Sequence, residues 1–215
     1  MKSAKIHFEQ NIIRVKNLGA IYKSINSQTT QILDLSDILR AQYVMLVSAL
    51  DHFIHEIVRI GMLETYLGKR KSTKAFKKFI FSIDDKVLFN KAIMVDIINE
   101  DNIEPYKDNT WLDYQIRHKN GFKSFQQADK IEEAILLVLD IDLWLEIENR
   151  LSIDKNKLKN RLNLIIKRRN QIAHEADIKF EDRELRDIRS DDIDSSIIFI
   201  ELLVKTIFDI SELKN

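Results

Sequence analysis

The sequence predicts an all-α protein, an up-and-down bundle of four to five main helices with an inserted helical subregion. Four Gly and one Pro in 215 residues supply too few turns for a many-stranded sheet, whereas long helices need few. Apolar residues also recur at three- and four-residue steps along most of the chain, the period of a helix with one buried face. With 45% hydrophobic and 32% charged residues, the composition is that of a folded domain rather than a disordered or collagen-like chain. This length can enclose a core without covalent staples.

The first helix is expected over about residues 6–24, where Phe8, Ile12, Val15 and Ile21 form one stripe. A polar run at 24–30 breaks the pattern. Residues 35–67 predict a long helix, because Leu39, Tyr43, Leu46, Leu50, Phe53, Ile57 and Ile60 fall three or four apart. Ser36 is placed to cap its start and Gly68 to end it.

Residues 68–125 read as an insertion of short pieces. It opens with the most basic run in the chain, Lys69, Arg70, Lys71, Lys74, Lys77 and Lys78, with Phe76 and Phe79 interleaved. That run suits a solvated loop or short helix, with a contact to nucleic acid as the alternative. Ser82 followed by Asp85 marks a helix to about residue 98, and Thr110 followed by Asp113 marks another that Gly121 stops.

A helix over 126–139 follows, continuing or breaking at Asp140 into 143–151, where Trp144 reads as a core anchor. Leu158, Leu162, Ile165, Ile166, Ile172 and Ala173 mark a helix over 156–175. Its other face carries Arg161, Lys167, Arg168, Arg169 and Asn170. Beyond a mixed-charge linker at 181–194, Ser195 or Ser196 is expected to cap a closing helix that ends near Leu213. No internal repeat appears, and residues 1–215 are expected to form a single domain.

Several function classes are excluded at this level. The absence of Cys removes disulfides, thiolate catalysis, zinc fingers and iron–sulfur clusters together. With 34 basic and 34 acidic residues, the zero net charge gives no global sign of a nucleic-acid partner, although local patches can still carry one. The amino terminus has charges every few residues and lacks the apolar core of a signal peptide, and apolar runs such as 134–139 fall far short of the roughly 18 residues of a membrane span. A cytoplasmic protein without a membrane partner is expected. There is no Gly-rich phosphate loop, GxSxG elbow, HExxH or EF-hand loop. No His has a Glu three residues before it, which excludes a di-iron bundle.

Two polar clusters remain. In the first, residues 168–176, Asn170 and His174 are four apart and so about 40° apart around a helix, while Arg169 stands about 140° from His174 and must reach around. An imidazole titrates near neutrality, a guanidinium grips phosphate with a planar fork, and an amide can orient either group. This is equipment for phosphodiester chemistry. The alternative is a basic helix ending in a His that its dipole favours. In the second cluster, residues 51–59, Asp51 with His55, His52 with Glu56, and His55 with Arg59 are each four apart beside an apolar stripe. His52 and His55 lack further ligands in their vicinity of the sequence, so helical neighbours rather than a metal are expected to satisfy them. Arg40 is positioned to pair with Asp51 or with an acid from another helix.

Arg169-Asn170-x-x-x-His174, late in an all-α chain and followed by one further helix, resembles the Arg-x4-His signature of the HEPN superfamily. The segment 39–59 is similar to the first core helix of the RiboL-PSP-HEPN branch. The resemblance covers mainly residues 35–67 and 126–180. It implies a metal-independent endoribonuclease of the toxin–antitoxin or antiviral-defence kind, needing no cofactor, with RNA as substrate and a composite site at a homodimer interface. A cognate antitoxin or regulatory protein is a further implied partner. Under this reading His174 acts as general base or acid, Arg169 stabilises the phosphate, and Asn170 holds the imidazole or the phosphate. Asp51, His55 and Glu56, with Arg40, would support the same cleft, and Arg168 with the basic run 69–78 would hold RNA outside it. The rival reading is a catalytically silent dimerisation or binding module.

Overall fold

A computed structural model describes residues 1–29, 33–80 and 110–213 of the chain. Among them are eight helices: α1 (Lys2–Asn26), α2 (Ser36–Tyr66), α3 (Lys74–Lys77), α4 (Thr110–Asn120), α5 (Ala128–Ile135), α6 (Leu143–Leu151), α7 (Lys155–His174) and α8 (Ser190–Leu213). The helix expected from Ser82 to about residue 98 lies outside the described residues. Apart from one isolated antiparallel bridge, Ile178 to Leu185, no β-structure occurs among the described residues.

The helix α2 is the axis of the bundle, packing against α1, α4, α5, α7 and α8. Leu46, Val47, Leu50, Phe53, Ile54, Ile57, Val58 and Met62 are wholly shielded from water. Full burial of each such side chain is worth roughly 1.5–3 kcal/mol, and a helix buried on several sides is correspondingly apolar around most of its circumference. Trp144 on α6 is also fully buried, and its indole N–H donates to the Ala128 carbonyl at 3.1 Å, so the ring enters the core with its polar atom matched. In the segment expected to be an insertion, Leu112 and Ile116 of α4 are buried in the same core as α2.

Local chemistry explains most boundaries. The α2 helix closes at Gly68, whose φ of +70° is one that side-chain-bearing residues rarely adopt. Asp142 and Asp154 cap α6 and α7, their carboxylates accepting from the Leu145 and Lys157 N–H groups. Three expectations need correction. Leu35 rather than Ser36 is the N-cap of α2; the Asp34 carboxylate takes the Ser36 N–H at 2.8 Å, while the Ser36 hydroxyl accepts from Arg40. The closing helix starts at Ser190, so Ser195 and Ser196 lie within it and not at its cap. Ile193 must enter the core one turn before Ile197, and Asp191 and Asp192 suit the positive end of the helix dipole. Finally, α5 ends at Ile135, where tight turns at 136–139 bring Val138 onto Gly61 of α2.

Candidate functional site

The last two turns of α7 carry Arg169, Asn170 and His174 into one open cleft of about 790 Å3. The facing wall is the stretch 123–127 and α5, which contribute Gln126, Lys123 and Lys130. His174, the final residue of α7, is exposed. Arg169 is half-buried, and its Nη2 donates to the Gln126 Oε1. Its Nε is buried without a hydrogen-bond partner among the described residues, leaving donor capacity beside the cleft.

The opposite wall is fixed from α2. The Asp51 carboxylate accepts the Phe125 N–H at 2.7 Å with one oxygen and the Gln126 Nε2 at 3.0 Å with the other. The amide of Gln126 can therefore orient only one way, with its oxygen toward Arg169. His55 donates from Nε2 to the Lys123 carbonyl at 3.2 Å, and its ring packs 4.5 Å from that of Phe125. Asn163 on α7 accepts the Ala128 N–H at 3.2 Å at the start of α5. The wall is thus tied to both α2 and α7.

Of the groups expected around the cleft, Asp51 supports Arg169 through Gln126, and His55 supports the wall. Glu56 does not reach it. Its carboxylate faces the other way, with Arg59 at 2.7 Å and Arg117 at 3.4 Å, in a separate recess that also holds His52 and Asn120. Burial acts to raise the Glu56 carboxyl, but the hydrogen bond and charge of Arg59, aided by Arg117, hold it below the ordinary value of 4.5. Arg40 is also elsewhere: it pairs at 2.7 Å with Asp177, which is 1% exposed.

Two expected RNA contacts are corrected. Arg168 is committed to the same Asp177, through both guanidinium ends, and to the Asp187 carbonyl. Arg70 is 7% exposed, bound by Glu64 and by the Ser211 carbonyl at 2.8 Å. Arg168 is drawn inward by a carboxylate, Asp177, that is itself buried and requires a partner, whereas Arg70 is buried against the partly exposed Glu64. Lys69, Lys71, Lys74, Lys77 and Lys78 are exposed but do not line the cleft. The cleft's own lysines, Lys123 and Lys130, went unnoticed in the sequence, as did Gln126; each lies in a stretch whose spacing carried no signal of the contact.

Among the described residues no cluster of three or more His, Cys, Asp or Glu side chains is placed to hold a metal, and no helix is long and apolar enough to cross a membrane. His52 lies beside His7, with ring centres 6.4 Å apart.

Fold and cleft together define an all-α bundle with an open polar cleft along the helix before its last. The chain belongs to the RiboL-PSP-HEPN family, whose model matches residues 9–213. The matched span runs across the 68–125 segment as well as the cleft. No curated protein and no solved structure matches the chain.

Proposed function

We propose that the protein is a metal-independent endoribonuclease, acting as a toxin or antiviral-defence effector in the cytoplasm, with RNA bound in the cleft of α7. The observation that carries this reading is the convergence of Arg169, Asn170 and His174 on one open cleft, with Arg169 positioned by Gln126. His174 takes the proton of a ribose 2′-OH as that oxygen bonds to the adjacent phosphorus. The P–O5′ bond breaks, and the leaving oxygen receives a proton. Arg169 balances charge on the non-bridging oxygens, and Asn170 orients the imidazole or the phosphate. The products are a 2′,3′-cyclic phosphate and a 5′-OH, and DNA is inert because it lacks the hydroxyl.

Transfer of one proton away from the 2′-OH and of another to the 5′-oxygen suits two imidazoles. A homodimer that brings the α7 ends of two copies together supplies them. A cognate antitoxin or regulatory protein would then act by covering this face. One observation favours a second reading, a silent binding or dimerisation module: the His174 ring has no hydrogen-bond partner among the described residues to fix its tautomer.

The test is incubation of purified protein with total RNA in EDTA, comparing wild type with Arg169→Ala and His174→Ala and mapping product ends. Cleavage by wild type alone, leaving cyclic phosphates, is expected. Intact RNA with a well-folded dimeric wild type would overturn the nuclease and leave the binding module.

A further inference from the structure

A second groove, of about 480 Å3, adjoins the first across Asn170. Gln127, Asn163, Asn170 and Gln171 present side-chain amides to it, and Ile166 adds an apolar contact. The amides are largely unused. Gln127, Asn170 and Gln171 make no side-chain hydrogen bond among the described residues, and Asn163 uses only its oxygen, toward Ala128. Along α7, Asn163, Lys167, Asn170, Gln171 and His174 follow one another at steps that keep them on one stripe, about 16 Å long. The groove therefore continues the line of the Arg169–His174 cleft.

The charged groups at its edge are mostly matched. Glu175 pairs with Arg186 at 3.3 Å and Asp129 with Lys159 at 3.2 Å. Lys167 is exposed and has no ion-pair partner among the described residues, which suits it to a neighbouring phosphate of a strand lying along α7. Recognition within the groove is left to neutral amides. An amide offers one acceptor and one donor side by side, the complement of a base edge that pairs a donor with an acceptor. In unpaired RNA every base has such an edge open to be read, N6–H with N7 in adenine, N4–H with N3 in cytosine, N3–H with O4 in uracil and N1–H with O6 in guanine, so the placement of the groove's amides decides which one fits.

We propose that this groove is a base-selective nucleobase subsite beside the phosphate held by Arg169 and His174. The proposal rests on the reading of that cleft as an RNA site. Gln127 lines both clefts, but neither it nor Gln171 is part of the proposed catalytic set, and neither side chain makes a hydrogen bond among the described residues. Their replacement by Leu leaves the structure intact and removes the readers.

The experiment uses short 2′-O-methyl oligonucleotides, which cannot be cleaved, differing only in one central base, with binding followed by fluorescence anisotropy. Wild type should distinguish the four bases by about tenfold between the tightest and the weakest, the scale of one good bidentate amide contact. Gln127→Leu and Gln171→Leu should bring the four affinities to within about twofold of one another, while Arg169→Ala should weaken all four alike. Equal binding of all four bases by wild type, a preference that survives both Leu variants, or no binding by folded wild type would each overturn the subsite. Cleavage of total RNA in EDTA by the same preparation keeps the two proposals apart. Selective binding without cleavage retains the subsite and removes the nuclease, and cleavage without base preference does the reverse.

Discussion

Gln126 holds the position on which the proposed chemistry depends, although it donates no proton and carries no charge. Its amide links the Asp51 carboxylate on α2 to Arg169 on α7. Gln126→Ala removes that link without unpairing a main-chain group, since the Phe125 N–H keeps its bond to Asp51. We expect turnover of RNA to fall about tenfold or more with a small change in KM, because a misplaced guanidinium loses more in the transition state than in substrate binding. Steady-state kinetics on a defined RNA checks this. An unchanged kcat would show that Arg169 does not need its partner. Much of this site was legible in the sequence, because Arg169, Asn170 and His174 lie within one helical turn or so and helical arithmetic places them. Gln126 was not, since it lies 43 residues from Arg169 and 75 from Asp51, separations to which periodicity is blind. The same limit hid the fates of Arg70 and Arg168. An Arg in a basic run looks solvated until the carboxylate that claims it, here Glu64 or Asp177, is placed in space.

Among the helices, the main ones were readable because each buries a regular stripe, and an end was readable where the terminating chemistry is local, as at Gly68. The start of α8 was obscured because its first turn is acidic and resembles a linker. Only the burial of Ile193 and the helix dipole reveal it as helix. The turn after α5 was hidden for a different reason: an unbroken apolar run reads as continued helix, and the bend at 136–139 is set by what it packs against. At that contact a Cβ on Gly61 would lie 2.4 Å from Val138 Cγ1 and 2.7 Å from Met1 Cε. Elsewhere in a helix, Gly→Ala gains about 1 kcal/mol of propensity. Here overpacking of about 1–3 kcal/mol opposes it, so Gly61→Ala should destabilise by about 1 kcal/mol. Urea denaturation followed by circular dichroism measures it, and a stabilised variant would show that the 136–139 turn yields readily.

For the molecule as a whole, fold class was the most legible property, since scarcity of Gly and Pro acts on every element at once. What composition could not reveal is how unevenly the elements share the core. Because α2 touches five other helices while α3 is a single turn and the 178–185 turn has one isolated bridge, opening the surface does not require opening the centre. In deuterated water this becomes a hierarchy of exchange. Amides of α3 and of the 178–185 turn should exchange by local fluctuation, quickly and with little dependence on denaturant. Those of Leu46, Leu50, Phe53, Ile57 and their neighbours should exchange only when the entire chain unfolds, at the full free energy of unfolding. Native-state hydrogen exchange resolved by residue reads this directly, and fast exchange in the middle of α2 would contradict its central place. The wall that orients Gln126 hangs from Asp51 in that slowest segment, so the positioning of Arg169 should persist through every local opening and vanish only with the fold itself.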